Sequence, residues 1–350
     1  MASPADTSTK KMEYVRLGNS GLKVSRIIMG CMSYGHKGWY PWVIDDEDEA
    51  CKHIKFAYDA GINTFDTANM YSNGKSEEIL GRAIKKLGLP REELVIMTKL
   101  FGVVGPTYDC NFVTGPKTAE DYGIINQRGL SRKHIFDSVK TSLKRMQLEY
   151  IDVLQCHRFD YNTPIAETMQ ALHDVVQAGL VRYIGMSACW AYQFQQMQNY
   201  ATTHKLTPFI SLQNHYNLLY REDEREVYPT IKMLGVGSIP FCPLARGLCS
   251  RPLGAQSARG QLDDYHQGYM GFGSEAIINR IEELAGKKGV SMAQVSIAWL
   301  LHKGVTAPIV GTTNMANLQD IIGAIHVSLS DEEIKFLEEP YVPRPINGHA

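Results

Sequence analysis

An α/β fold of the (β/α)8 TIM-barrel type is the class this sequence predicts, and three observations predict it. Eight short apolar, β-prone runs recur along the chain. Each is followed by a stretch of helical periodicity, and strands that alternate with helices build a parallel sheet. The 350 residues accommodate one such barrel of about 250 residues with insertions. The rival doubly wound sheet announces itself with GxGxxG after its first strand, and "IIMGCMSYGHKG" lacks that spacing.

In chain order, residues 1–12 are polar and read as a disordered tail, 13–340 as a single barrel and 341–350 as a C-terminal tail. "YVRLGNSGLKVS" places two short alternating runs around Asn19-Ser20-Gly21, the signal of an N-terminal hairpin. The eight runs are "RIIMG", "INTFD", "LVIMTK", "IDVLQCH", "RYIGMS", "ISLQN", "VGSIPF" and "APIVG". Helices are expected at 45–60, 76–88, 131–146, 163–178, 191–204, 222–234 and 275–303, the last divided at Gly289 with Ser291 as an N-cap, and finally from Asp331 to Leu337. Two connections are too long to be simple turns, 100–130 after the third run and 245–274 after the seventh. Loops of that length in a compact domain are commonly binding loops, and both follow strand C-termini, the face on which barrels carry their sites.

Composition narrows the function classes. A net charge of −1 argues against a nucleic-acid or membrane-surface protein, since both depend on basic excess. Seven widely spaced cysteines without a CxxC read as reduced thiols in the cytoplasm, with no disulfide set and no metal site. The N-terminus has no apolar core of a secretory signal, and no window is long and apolar enough to span a bilayer.

Most runs end on a polar residue: Asp66, Lys99, His157, Ser187 and Gln213-Asn214. Singly, each has a plain structural reading as a loop cap, a solvated strand end or a satisfied core histidine. Together, strands two, three and four deliver Asp, Lys and His to one rim, and Tyr71 lies in the loop beyond Asp66. These groups suit proton donation. A phenol with its free pKa of about 10 is a weak acid at neutral pH, and a neighbouring cation lowers that value. Lys99 supplies the cation, Asp66 holds the lysine, and His157 donates or relays a proton beside the same oxygen. Such a group can protonate the alkoxide formed when hydride reaches a carbonyl, with the hydride coming from a nicotinamide.

The stretches "GINTFDTANMYSNGKSEEILGRAI", "LVIMTK", "YIDVLQCHRFD" and "VRYIGMS" resemble the signature segments of the aldo-keto reductases, in order and spacing, over about residues 14–325. "QNHYNLLYRE" and "PLARGL" look like the branch of fungal aryl-alcohol dehydrogenases and reductases of aromatic polyketide pathways. The resemblance implies a (β/α)8 barrel that binds NADPH (NADP+) in an extended pose, with a catalytic tetrad of Asp66, Tyr71, Lys99 and His157 and Tyr71 as general acid. It places the nicotinamide carboxamide at Ser187, Ala188 and Gln213, beside Asp66; Ala188 stands where the family has Asn, which removes one hydrogen bond. Phe241 is expected to stack on the nicotinamide, with Pro243, Leu244, Arg246, Gly247 and Arg251 around the pyrophosphate. Gly311, Thr312, Thr313, Asn317 and Asp320 fall at the adenosine end; Asn317 and Ile321 depart from the family pattern, so a 2′-phosphate meets hydroxyls and amides in this segment.

Rings gather after the strand ends, and Tyr34, Trp39, Phe101, Trp190 and Tyr216 are the candidate walls of a pocket for a bulky aromatic carbonyl compound, with the 100–130 loop as one side. Two other readings compete. The resembled family includes cofactor-binding β subunits of potassium channels, which turnover of an aldehyde would separate from an enzyme. A Schiff-base enzyme with Lys99 as nucleophile would form a borohydride-stable adduct.

Overall fold

The computed structural model describes residues 12–255 and 268–349; the expected N-terminal tail falls, apart from Met12, outside them. β1 (Tyr14–Arg16) and β2 (Lys23–Ser25) form the expected antiparallel hairpin, with Gly18 at φ +59° in its turn. Eight parallel strands follow: β3 (Ile28–Gly30), β4 (Thr64–Asp66), β5 (Val95–Leu100), β6 (Ile151–Cys156), β7 (Val181–Ser187), β8 (Phe209–Gln213), β9 (Gly237–Ser238) and β10 (Ile309–Val310). Their order is consecutive, with β10 back beside β3. Pro240 and Pro308 lack the N–H that would extend β9 and β10, which is why these two are so short. The last seam is closed by Thr306 N to Ser238 O at 2.9 Å and Ile309 N to Pro240 O at 3.0 Å.

Two hydrophobic clusters divide the molecule. The inner one joins Leu17 and Val24 of the hairpin to Val95, Met97, Val153 and Ile239, so the hairpin plugs the bottom of the barrel. Side chains alternate along a strand. Two residues beyond Met97 comes Lys99, beyond Val153 comes Gln155 and then His157, and beyond Ile239 comes Phe241; each points inward, towards the open end. The larger cluster lies between strands and helices.

The outer ring contains α1 (Glu47–Asp59), α2 (Lys75–Leu87), α3 (Arg132–Met146), α4 (Ile165–Gln177), α5 (Ala191–Thr203), α6 (Val227–Met233), α7 (Ser274–Lys288), α8 (Met292–His302), α9 (Met315–Ile322) and α10 (Asp331–Glu338). Most of the expected helices hold closely, but α9 lies outside the expected set, and the helix expected over 222–234 divides into a 310 turn at Glu222–Glu224 and α6. The long helical stretch divides at Gly289, and Ser291 caps α8 with Gln294 in a capping box. At Gly81 a Cβ would lie 2.1 Å from Met146 O, so only glycine lets α2 approach α3 so closely. Residues 341–349, expected as a tail, pack back on the barrel: Arg344 and His349 are buried, and Tyr341 OH donates to Glu222 Oε1 at 2.7 Å. Among the described residues no helix is long and apolar enough to cross a membrane.

Candidate active site

β4 ends at Asp66, and its backbone leads into a short 310 turn, Tyr71–Gly74. Ser72 and Asn73 take left-handed φ values of 46° and 51° there, a conformation that Asn tolerates better than most residues. The turn holds because both residues are bonded outward. Ser72 Oγ accepts His36 N at 3.0 Å. Asn73 Oδ1 accepts Gly105 N at 2.7 Å, and its Nδ2 donates to Cys110 O at 2.7 Å. The long loop after β5 is thereby tied to the turn that carries Tyr71.

Lys99, fully buried on β5, brings the site together. Its Nζ donates to Asp66 Oδ2 at 2.5 Å, Thr67 O at 2.9 Å and Tyr71 OH at 3.2 Å. The His157 ring stands edge-on to the Tyr71 ring, with centroids 5.9 Å apart. Asp66, Tyr71, Lys99 and His157 therefore lie in one cluster at the barrel mouth, drawn from β4, the loop after it, β5 and the end of β6.

A buried ion pair survives only when its remaining bonding capacity is met. Asp66 Oδ1 accepts from Gln155 Nε2 at 2.8 Å and Gln213 Nε2 at 3.1 Å, and Gln213 Nε2 also donates to Gln155 Oε1 at 2.8 Å. Gln155 was missed by the reading of strand ends because it sits inside its run. The available signal was its spacing: it is the inward polar residue two before His157.

Burial sets the proton affinities. Burial is the largest influence on the Tyr71 phenol and raises its pKa above the usual tyrosine value, against the opposing pull of Lys99. This corrects the expectation that the cation depresses it: desolvation wins, and the phenol stays protonated at neutral pH. For Lys99, burial disfavours the charge, but Asp66 and then Tyr71 overcome it, so its pKa lies above the ordinary lysine value. Burial, helped by Lys99 and Arg158, pushes His157 well below the usual histidine range, so its ring is neutral. The cluster thus combines a neutral phenol, a lasting cation beside it and a neutral imidazole. That arrangement can donate a proton and then stabilise the phenolate left behind.

The residues expected around a coenzyme follow the rim. Ser187 Oγ and Ala188 N both donate to Gln213 O, at 2.8 and 3.0 Å, and Ala188 takes φ 37°. Phe241 is half-buried, its N bonded to Asn214 O at 2.9 Å and its ring parallel to that of His215. From Cys242 the chain passes Pro243 and Leu244 and runs through left-handed conformations at Ala245, Arg246 and Gly247, with φ 47°, 58° and 103°. Arg251 Nε donates to Gly247 O at 3.2 Å, across the same turn. Gly311 follows β10, Thr312 Oγ1 accepts Asn314 N at 3.1 Å, and the Asn314 side chain caps α9 by accepting Asn317 N. Asp320 lies further along α9 and accepts Ser291 Oγ at 2.6 Å, which makes it a link between helices.

The rings expected to line a pocket divide. Trp39 packs near Tyr71, with the two rings 6.1 Å apart, and Asn111 Nδ2 of the long loop donates to Trp39 O at 3.1 Å. Phe101 is half-buried at the start of that loop, and half-buried Trp190 lies against His349 with centroids 4.8 Å apart. Tyr34 and Tyr216 do not belong to a pocket wall. Tyr34 is fully buried against His53 of helix α1, and Tyr216 packs on Trp299 and Tyr228 with its hydroxyl on Glu224. Both follow strands, but their side chains turn outward into the layer beneath the helices.

The fold and site define a parallel (β/α)8-type barrel with a buried Asp–Lys–Tyr cluster and a neutral histidine at its mouth. The model of the aldo/keto reductase family matches residues 26–341. The chain is 50% identical over 349 residues to a Schizosaccharomyces pombe protein named among the aryl-alcohol dehydrogenases, covering 96% of this chain and 97% of that one. It is 47% identical over 343 residues to the versiconal hemiacetal acetate reductase of Aspergillus parasiticus, covering 96% and 99%, and 44% identical over 351 residues to an aldo-keto reductase of Alternaria alternata, covering 96% and 94%. The chain belongs to the aldo/keto reductase family. Enzymes of this family are oxidoreductases that generally use NAD(P)H on small carbonyl substrates.

Proposed function

We propose that this protein is an NADPH-dependent reductase of bulky aromatic aldehydes or ketones, with Tyr71 as the general acid. The observation that carries the reading is the position of the Lys99 ammonium, within hydrogen-bond reach of both Asp66 and the Tyr71 hydroxyl. A bound reduced nicotinamide supplies the hydride. Tyr71 donates its proton to the oxygen that gains negative charge, and Lys99 meets the charge left on the phenol. Asp66, fixed by Gln155 and Gln213, keeps Lys99 in place. The neutral His157 ring borders the same oxygen and can donate a hydrogen bond without competing as an acid.

The residues suit the coenzyme. The Ser187 hydroxyl proton is already given to Gln213 O, so its oxygen is an acceptor for a carboxamide N–H. Gln213 uses its amide nitrogen on Asp66 and Gln155, which turns its Oε1 into a second acceptor. Phe241 offers a ring face, and the tight turn at 244–247, whose Ala245 and Gly247 amides are used within it on Cys242 O and Leu244 O, brings Arg246 and Arg251 to one place as the cations for a pyrophosphate. The Thr312-Thr313 hydroxyls and the start of α9 support a 2′-phosphate. The name of one relative, an aryl-alcohol dehydrogenase, supports an aromatic substrate class, and that of another, a hemiacetal acetate reductase, supports a reductase. Trp39 beside Tyr71 supports it independently. The unpaired cysteines suit action in the cytoplasm.

A panel of aromatic and aliphatic aldehydes and ketones, followed by loss of reduced-coenzyme absorbance with NADPH and with NADH, tests the reading. Turnover of aromatic members with NADPH, abolished in Tyr71→Phe, is expected. Absence of turnover across the panel, or equal affinity for the two coenzymes, overturns the corresponding part.

A further inference from the structure

The stretch after α10 takes no part in the tetrad, yet it is held like an internal element. Arg344 is only 8% exposed. Its main-chain N donates to Glu222 Oε1 at 3.0 Å. Its guanidinium is spent on one short turn: Nη1 and Nη2 each donate to Tyr269 O at 3.1 Å, and Nη2 reaches Ser274 Oγ at 2.8 Å and Gly271 O at 3.3 Å. It also lies 5.0 Å over the Phe272 ring. Tyr341 secures the approach, accepting Arg221 N at 2.8 Å and donating to Glu222 Oε1.

The turn that Arg344 grips carries Tyr269, whose hydroxyl lies 2.5 Å from His215 Nε2. The His215 ring is stacked between Tyr220, at 4.1 Å and 11°, and Phe241, at 5.2 Å and 10°. Burial, with Arg246 as the next cause, drops His215 to about 3, so the ring stays neutral and the stack does not change charge across the working pH range. An unbroken path of contacts thus runs from a C-terminal guanidinium to the half-buried ring at the end of the β9 run. A ring backed by a fixed stack is pre-organised for a flat ligand; a ring free to rock must be ordered when the ligand binds, and affinity falls.

We propose that Arg344 is a positioning residue for the coenzyme: it pins Tyr269 and, through Tyr269 and His215, sets the plane of Phe241 against which the nicotinamide lies. This rests on the reading of Phe241 as the coenzyme-facing ring. Loss of Arg344 therefore acts on coenzyme affinity from a site that touches neither coenzyme nor substrate.

The experiment measures NADPH dissociation constants by fluorescence quenching without carbonyl compound, then KM and kcat, and thermal midpoints. Arg344→Met keeps the apolar stem and removes the donors, and coenzyme affinity is expected to weaken roughly 5- to 30-fold, with the effect on the dissociation constant exceeding that on kcat. Arg344→Lys, which cannot fork to several acceptors, recovers only part. Tyr269→Phe removes one hydroxyl, keeps the ring and shifts affinity in the same direction. It also carries the test should Arg344→Met fold poorly. Combined with Tyr269→Phe, the Arg344→Met change adds less than it does alone, because the two act along one path. Phe241→Ala separates the two levels of argument. If it leaves NADPH affinity unchanged, the assignment of the ring fails and the proposal falls with it. If it weakens binding while Arg344→Met and Tyr269→Phe do not, the ring assignment stands and the positioning role is refuted.

Discussion

The Lys99 ammonium stands 3.2 Å from the Tyr71 hydroxyl while its short contact is to Asp66 Oδ2 at 2.5 Å. The lysine is held by the carboxylate and lent to the phenol. Burial outweighs the cation there, and the phenol stays protonated.

Tyr71→Phe keeps the ring and removes the proton. General acid catalysis contributes about 10²–10⁴-fold, so kcat is expected to fall at least that far, with NADPH affinity retained in a fluorescence titration. Unchanged kcat would remove Tyr71 from the mechanism.

Lys99→Met leaves the buried Asp66 carboxylate without its cation, and breaking such a pair costs about 3–5 kcal/mol. A large drop in thermal midpoint is expected together with loss of turnover. Adding Asp66→Asn should restore much of the stability and none of the activity. Recovery of activity in the double variant would show that the charge beside Tyr71 is dispensable. A borohydride-stable adduct at Lys99 in the native protein would replace the point-charge role with a nucleophilic one.

Gln155→Leu removes one of the two amides on Asp66 Oδ1. Gln213 Nε2 remains on that oxygen, so the change removes one hydrogen bond to a charged group, worth about 1.5–3 kcal/mol, and kcat should fall by roughly one order of magnitude, well short of the Tyr71→Phe loss. Kinetics at saturating coenzyme decide it; an unchanged kcat would make Gln155 a bystander.

Stability should fall on the acid side. Burial lowers His157 well below its usual range, and takes His134 to about 4 and His215 to about 3. Below about pH 6.5 the unfolded chain takes up protons that the folded histidines refuse, so the folded state loses up to about 1.4 kcal/mol per pH unit for each such residue. Asp223, raised to about 7 by burial, runs the opposite way between its unfolded value and 7 and offsets one of them. Denaturant melts from pH 7 to pH 4 should show the decline; a flat profile would contradict the burial of these rings in the neutral form.

Replacing residues 113–124 with a Gly-Ser linker spares the Asn73 contacts at Gly105, Tyr108 and Cys110. KM for a substituted aromatic aldehyde should rise much more than KM for a small aliphatic one, with coenzyme affinity little changed. Equal losses for both substrates would place the pocket wall elsewhere.

The alternation of apolar runs and helical periods determined the barrel, since a parallel strand buried on both faces must be apolar throughout and must be followed by a crossover. Strand ends were legible for the same reason: Asp66, Lys99 and His157 break apolar runs where the chain leaves the core. Sequence also marked the division at Gly289 and the Ser291 cap, because caps are local. What it did not contain was which way a residue turns once it leaves a strand. Tyr34 and Tyr216 look like Trp39 in the sequence, but their loops rotate them into the layer under the helices. Nor did it contain the balance between burial and charge at Tyr71, which depends on how completely the neighbouring strands exclude water. The links from Arg344 to Tyr269 and from Tyr269 to His215 span 75 and 54 residues. No local pattern encodes such pairings, because they exist only once the closed barrel has brought its last loop and its C-terminal segment to the same rim.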